Sequence, residues 1–99
     1  MQGMMMHRPL RIIDILTYAA ETHPDQGIVS VRTEADLHRC SYPETLARVA
    51  QLSHALRALG VEIGDRIATL AWNGYRHFEL YYAVSGIGAV CHTINPRLS

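Results

Sequence analysis

Residues 64–99, GDRIATLAWNGYRHFELYYAVSGIGAVCHTINPRLS, constrain the fold of this 99-residue chain more than any other stretch. Gly64-Asp65 turns the chain into residues 66–71, which are apolar after Arg66 except for Thr69. Such a run suits a parallel strand covered on both faces. Trp72-Asn73-Gly74 follows. Asn-Gly favours a hairpin turn, but residues 75–85 are too long and too helical in pattern to be a returning arm. They read as a crossover helix, with Phe78, Tyr81, Tyr82 and Val84 leaving little polar face. Gly86-Ile87-Gly88 breaks that helix, residues 89–94 form the next strand, and Asn95-Pro96 ends it. The result is one βαβ unit with a right-handed crossover. Two parallel strands do not make a stable sheet alone. We therefore expect the front portion of a larger α/β enzyme, cut before its next element.

The preceding residues supply a helix, a hairpin and a second helix. Pro9 suits a helix's first turn, and Ile12, Leu16, Ala19 and Ala20 share one helical face. His23-Pro24 ends the helix, because a residue before proline is pushed out of the α region. Residues 25–27 turn. Residues 28–32 are β-branched and strand-like, residues 33–36 are a polar loop, and residues 37–41 return as the second arm. Ser41-Tyr42-Pro43-Glu44 has the spacing of a capping box; Pro43 also fits the first helical position with Tyr42 as cap. Leu46, Val49, Ala50, Leu52, Leu56 and Leu59 form the apolar stripe, and Arg48, Gln51 and Arg57 mark the wetter side. Gly60 suits the left-handed residue after the helix.

Composition removes several function classes. Hydrophobic residues are 48% and charged residues 18%, which is globular. Basic and acidic residues number nine each, so there is no electrostatic case for nucleic acid or an anionic membrane. All nine cations are Arg, so chemistry needing a lysine ammonium cannot be completed within these residues. Cys40 and Cys91 have no CxxC spacing and read as reduced thiols. The first ten residues resemble neither a secretory signal nor a membrane span. A cytoplasmic location is expected.

Each candidate site has a structural counterpart. Gly86-x-Gly88 stands in the order helix, glycines, strand, the reverse of a dinucleotide loop, so it reads as a helix end. The six histidines, His7, His23, His38, His54, His77 and His92, lack HxxxH or HExxH spacing and read as surface or hydrogen-bonded residues. Cys91 and His92 alternate on a strand and face opposite ways. Asp65 and Arg66 read as a turn residue and a solvated strand end. Trp72 and Asn73 fall at the carboxyl end of a parallel strand, where open α/β sheets place ligands. No acid, base or nucleophile accompanies them, so Trp72 is expected to pack on the following helix and Asn73 to cap it. His77 and Tyr81 share a helical face as a structural contact, with Glu79 pointing elsewhere.

Ser41-Tyr42-Pro43-Glu44, then LSHALRALGVEIGDRIATLAWN, then RHFELYYAVSGIGAVCHTINPRL, strongly resemble the N-terminal region of fatty-acyl-CoA synthetases. These belong to the adenylate-forming (AMP-binding) superfamily. The ending His92-Thr93-Ile94-Asn95-Pro96-Arg97-Leu98 is similar to bacterial long- and medium-chain acyl-CoA synthetases and to methylthiopropionate-CoA ligases. The resemblance covers roughly residues 9–99. It implies that the chain is a partial N-terminal domain, truncated before the phosphate-binding loop, with a β-hairpin, amphipathic helices and one βαβ unit of an incomplete sheet. It implies a parent enzyme that joins a carboxylate to ATP, releases pyrophosphate, and transfers the acyl group from the adenylate to CoA. Mg²⁺ and backbone donors would offset the negative charge. The family's phosphate loop, acidic magnesium ligand and C-terminal-domain lysine match no position here. No catalytic, cofactor-binding or metal residue is therefore assigned, and ATP, Mg²⁺ and CoA are expected of the parent alone. The resemblance also implies docking to the remainder of the enzyme, with a homodimer through this domain possible. Isolated, the chain is expected to be inactive. The alternatives are a non-enzymatic dimerisation or interaction module of the same fold piece, a small metal-binding protein, or a protein that uses its Tyr/Phe helix as an interaction patch.

Overall fold

A computed structural model describes residues 10–32 and 34–97. The elements are α1 (Ile12–Thr22), β1 (Gly27–Val31), β2 (Leu37–Ser41), α2 (Tyr42–Ala58), β3 (Arg66–Leu70), α3 (Tyr75–Gly86) and β4 (Val90–Ile94). β1 and β2 form an antiparallel hairpin, and β3 and β4 form a parallel pair bridged by α3. The α/β class and the βαβ unit are as expected. Pro9, His7, Thr33 and Leu98 lie outside the described residues.

Local chemistry sets the boundaries. α1 stops at His23, whose N–H reaches the Ala19 carbonyl at 2.8 Å just before Pro24. The hairpin starts one residue earlier than expected, at Gly27, because the strands approach closely there. A Cβ on Gly27 would stand 2.0 Å from the Cys40 carbonyl oxygen. α2 is capped by Ser41, not Tyr42: the Ser41 hydroxyl accepts the Glu44 N–H at 3.2 Å and donates to the Glu44 carboxylate at 3.0 Å. α2 ends in a Schellman arrangement, with Gly60 N–H on the Arg57 carbonyl, Val61 N–H on the Leu56 carbonyl, and Gly60 at φ 98°.

Two apolar clusters meet at α3. Leu16, Val49 and Ala83 join Ile13, Leu46, Phe78 and Tyr82 between the helices. Val84, Ile87 and Ala89 join Ile67, Leu80 and Cys91 between α3 and the parallel strands. Leu56 touches both. Three expectations are corrected. Ile12 is exposed, since α1 turns Ile13, Leu16 and Ala20 inward. On α2, Ala50 and Leu59 are exposed: the contact face runs through Thr45, Val49, Leu52 and Leu56, and Leu59 already lies beyond the helix. The parallel pair is covered on one face. Ile67, Thr69 and Cys91 face α3, whereas Leu70, Val90 and Ile94 are solvent-facing because no other described element packs there.

Burial raises the Tyr82 phenol above the ordinary 10.0, with Tyr42 adding to the effect. Folding therefore favours neutral Tyr82, a contribution fully present below pH 10.0 and lost as pH rises through the raised value. Chemical denaturation between pH 8 and 11 is expected to show stability falling at the alkaline end, with a shallower fall in Tyr82→Phe. An identical alkaline slope in both proteins contradicts this.

Candidate functional site

Parallel strands end on the same side, so the residues after β3 and after β4 meet. Ala71, Trp72 and Asn73 face Asn95, Pro96 and Arg97 across a cleft of about 200 Å³. Trp72 is 58% exposed, and the Arg97 guanidinium carbon lies 5.7 Å from its ring centroid. That distance fits a cation–π contact. The Arg97 N–H donates to Asn95 Oδ1 at 2.9 Å, which turns the chain back toward Trp72.

The expected packing of Trp72 and capping by Asn73 are both corrected. Gly74, extended at φ −171°, occupies the cap position of α3 and has no side chain to cap with. Asn73 is left one residue outside the helix and lines the cleft, where Trp72 meets Arg97. Among the described residues the lining offers a guanidinium, two amides and an indole, with no carboxylate, thiol or imidazole. It can hold an anionic or polar group but contains no proton-transfer pair. Mg²⁺ does not fit this donor set, which lacks the carboxylate such an ion prefers. Sequence reasoning singled out the β3 side alone. The rule that placed Trp72 and Asn73 applies equally to the residues after β4.

Behind the cleft, α3 carries two buried polar side chains. His77 Nε2 and Thr69 Oγ1 are 2.9 Å apart, joining α3 to β3. The His77 ring stacks on Tyr81 at 4.6 Å between centroids, the structural contact expected. Glu79 is 5% exposed and takes a two-pronged contact from Arg48 on α2, at 2.5 and 3.3 Å. Arg48 does stand on the wetter side, half-exposed, but its fork closes over the carboxylate. The hydrogen bond and charge of Glu79 hold the Arg48 guanidinium above its ordinary pKa. The missed signal was the lone acid of α3, Glu79. Tyr75 was also missed: His38 stacks on it at 3.7 Å, and Arg76 lies over its ring at 5.0 Å.

The remaining candidates fall into place. Asp65 is a turn residue whose carboxylate accepts the Glu62 N–H at 2.8 Å. Gly86 ends α3, and Gly88 follows at φ 80°. His23 meets Tyr18 edge-on, while His54 and His92 are exposed. Among the described residues no three His, Cys, Asp or Glu side chains gather as a metal site. No helix of the described residues is long and apolar enough to cross a membrane.

Removing Arg48 leaves the Glu79 carboxylate buried without its partner. Arg48→Met is expected to destabilise the fold by about 1–3 kcal/mol, and the double change with Glu79→Gln by less. Urea denaturation of the singles and the double checks this; additive losses contradict the coupling.

The sequence pattern of the AMP-binding enzyme family matches residues 16–99. The 3-methylmercaptopropionyl-CoA ligase of Ruegeria lacuscaerulensis is 49% identical over 98 residues, covering 99% of this chain and 18% of that protein. The medium-chain-fatty-acid–CoA ligase of Ectopseudomonas oleovorans is 47% identical, with the same coverage. Among solved structures, a Mycobacterium tuberculosis fatty acyl CoA synthetase superimposes with a TM-score of 0.75 at 31% identity, covering 90% of this chain and 17% of that one. The chain thus spans about a fifth of the length of these relatives.

Proposed function

The chain belongs to the AMP-binding enzyme family, and from that premise we propose that it forms the N-terminal part of an ATP-dependent acyl-CoA ligase acting on a fatty acid. The observation that carries this is the 49% identity to such a ligase across 99% of the chain. In the parent reaction a carboxylate oxygen attacks the α-phosphorus of ATP and pyrophosphate leaves. The CoA sulfur then attacks the acyl carbon, its proton is lost, and AMP leaves. Every participant is polyanionic or carries a carboxylate, so the enzyme must meet negative charge with donors and cations.

The part this chain plays is architectural. Its described residues supply a sheet strand pair, the helices that cover one face, and a cleft with no acid–base pair. Arg97 is the one cation among the described residues lining that cleft, so its proposed role is to attract an anionic substrate group, not to carry out chemistry. ATP, Mg²⁺ and CoA are held by residues outside this segment. Its partners are the remainder of the ligase and a second copy of that enzyme, in the cytoplasm. The apolar outer face of α1, with Ile12, Ile15 and Tyr18 uncovered, supports such partners.

A chimera tests the proposal. The 99 residues replace the corresponding stretch of the Ruegeria lacuscaerulensis ligase, and acyl-CoA formation is followed. The chimera is expected to make thioester, and the 99-residue chain alone to show no carboxylate-dependent ATP–pyrophosphate exchange. In the chimera, Arg97→Ala is expected to raise KM for the carboxylate substrate by about 3- to 10-fold with kcat little changed, a loss of uniform binding. Exchange activity in the isolated chain, or an inactive chimera, overturns the assignment.

A further inference from the structure

We propose that Trp72 is a positioning residue for Arg97: its indole holds the guanidinium at the cleft between the strand ends and leaves the positive charge free for an anionic oxygen group of a substrate. The inference rests on the ligase reading above and on the role given there to Arg97.

Leu70 pairs with Ile94 in parallel register, so Trp72 and Arg97 leave the sheet two and three residues beyond the same rung. Neither belongs to a helix or a strand. A side chain as long as arginine samples many rotamers on such a segment, and ordering them opposes ligand binding. Two contacts settle Arg97 in advance. Its backbone N–H donates to Asn95 Oδ1 at 2.9 Å, across Pro96, whose ring fixes φ. At the far end of the side chain, the guanidinium carbon lies 5.7 Å from the Trp72 ring centroid. Trp72 thus ties the segment after β4 to the segment after β3.

The kind of partner decides what Arg97 can do. Arg11, Arg32, Arg48 and Arg76 are each held by a carboxylate, from Asp14, Asp36, Glu79 and Glu34 respectively. A carboxylate orders a guanidinium and offsets its charge in the same contact. Among the described residues no carboxylate lines the cleft, and Arg97 has an indole in that place. The quadrupole of an aromatic ring attracts a cation without carrying net charge. The five N–H donors of a guanidinium fan out in one plane, more than one ring can occupy, so donors remain for a carboxylate or a phosphate. Trp72 is also free to serve this purpose. It is more than half exposed and belongs to neither apolar cluster, so the core does not depend on its ring.

The chimera tests this, with KM measured for the carboxylate, for ATP and for CoA. The KM that Arg97→Ala raises identifies the substrate that brings the anionic group. Trp72→Leu is expected to raise that same KM by about 2- to 5-fold, the scale of an exposed cation–π contact, with kcat little changed. Trp72→Phe keeps an aromatic face and is expected to recover most of the loss. In an Arg97→Ala background Trp72→Leu is expected to add nothing, because the indole then has no cation to hold. An active chimera in which Trp72→Leu leaves that KM unaltered, or in which the Leu and Phe variants lose equally, overturns the inference alone. So does a full effect of Trp72→Leu in the Arg97→Ala background, which makes the ring a packing or substrate contact in its own right. If Arg97→Ala raises no KM in an active chimera, the role of Arg97 fails and the inference with it. A chimera that makes no thioester overturns the ligase reading itself.

Discussion

The burial of α3 on two sides holds the rest of the structure in place. Ala83 and Val84 are adjacent and both fully buried, yet they point into different clusters. A helix turns by about 100° per residue, so neighbouring side chains reach separate surfaces. Ala83 faces α1 and α2, and Val84 faces the parallel strands. Leu56 of α2 then spans both clusters, so the helical layer and the sheet form one packed unit.

The polar side chains of α3 fix its rotation about its axis. An apolar interface tolerates small rotations, because burial carries no direction. A buried carboxylate or imidazole does not, because each must meet a partner with good geometry. Glu79 meets Arg48 from α2, and His77 meets Thr69 from β3. The two contacts lock α3 against both neighbouring layers. They also set which residues of α3 wall the cleft beside β1, where His77 and Tyr81 stand.

The same geometry separates the strand ends from the uncovered strand surfaces. Parallel pairing brings the residues after β3 and after β4 to one end, where Trp72 and Arg97 meet. The outer face of that pair and the edge of β1 are instead left uncovered by the described elements. Uncovered parallel strands and an open edge are structural liabilities in a free-standing domain.

Much of the fold was legible in order along the chain, because its signals are local. The spacing of Leu16 and Ala20, the Ser41 cap, the Gly60 and Gly88 turns and the proline after His23 each act within a few residues of themselves. The glycine order around α3 excluded a dinucleotide loop for the same reason. The motifs from Ser41 to Leu98 carried the family. The pairing of Glu79 with Arg48, the stacking of His38 on Tyr75 and the meeting of Arg97 with Trp72 were not legible. Nor was the exposure of Ile12 and Leu59. A periodic pattern says that a helix has an apolar face, but not which residues at its margins a neighbour will reach. Contacts between distant residues depend on how whole elements pack, and that arrangement exists only once the chain has folded.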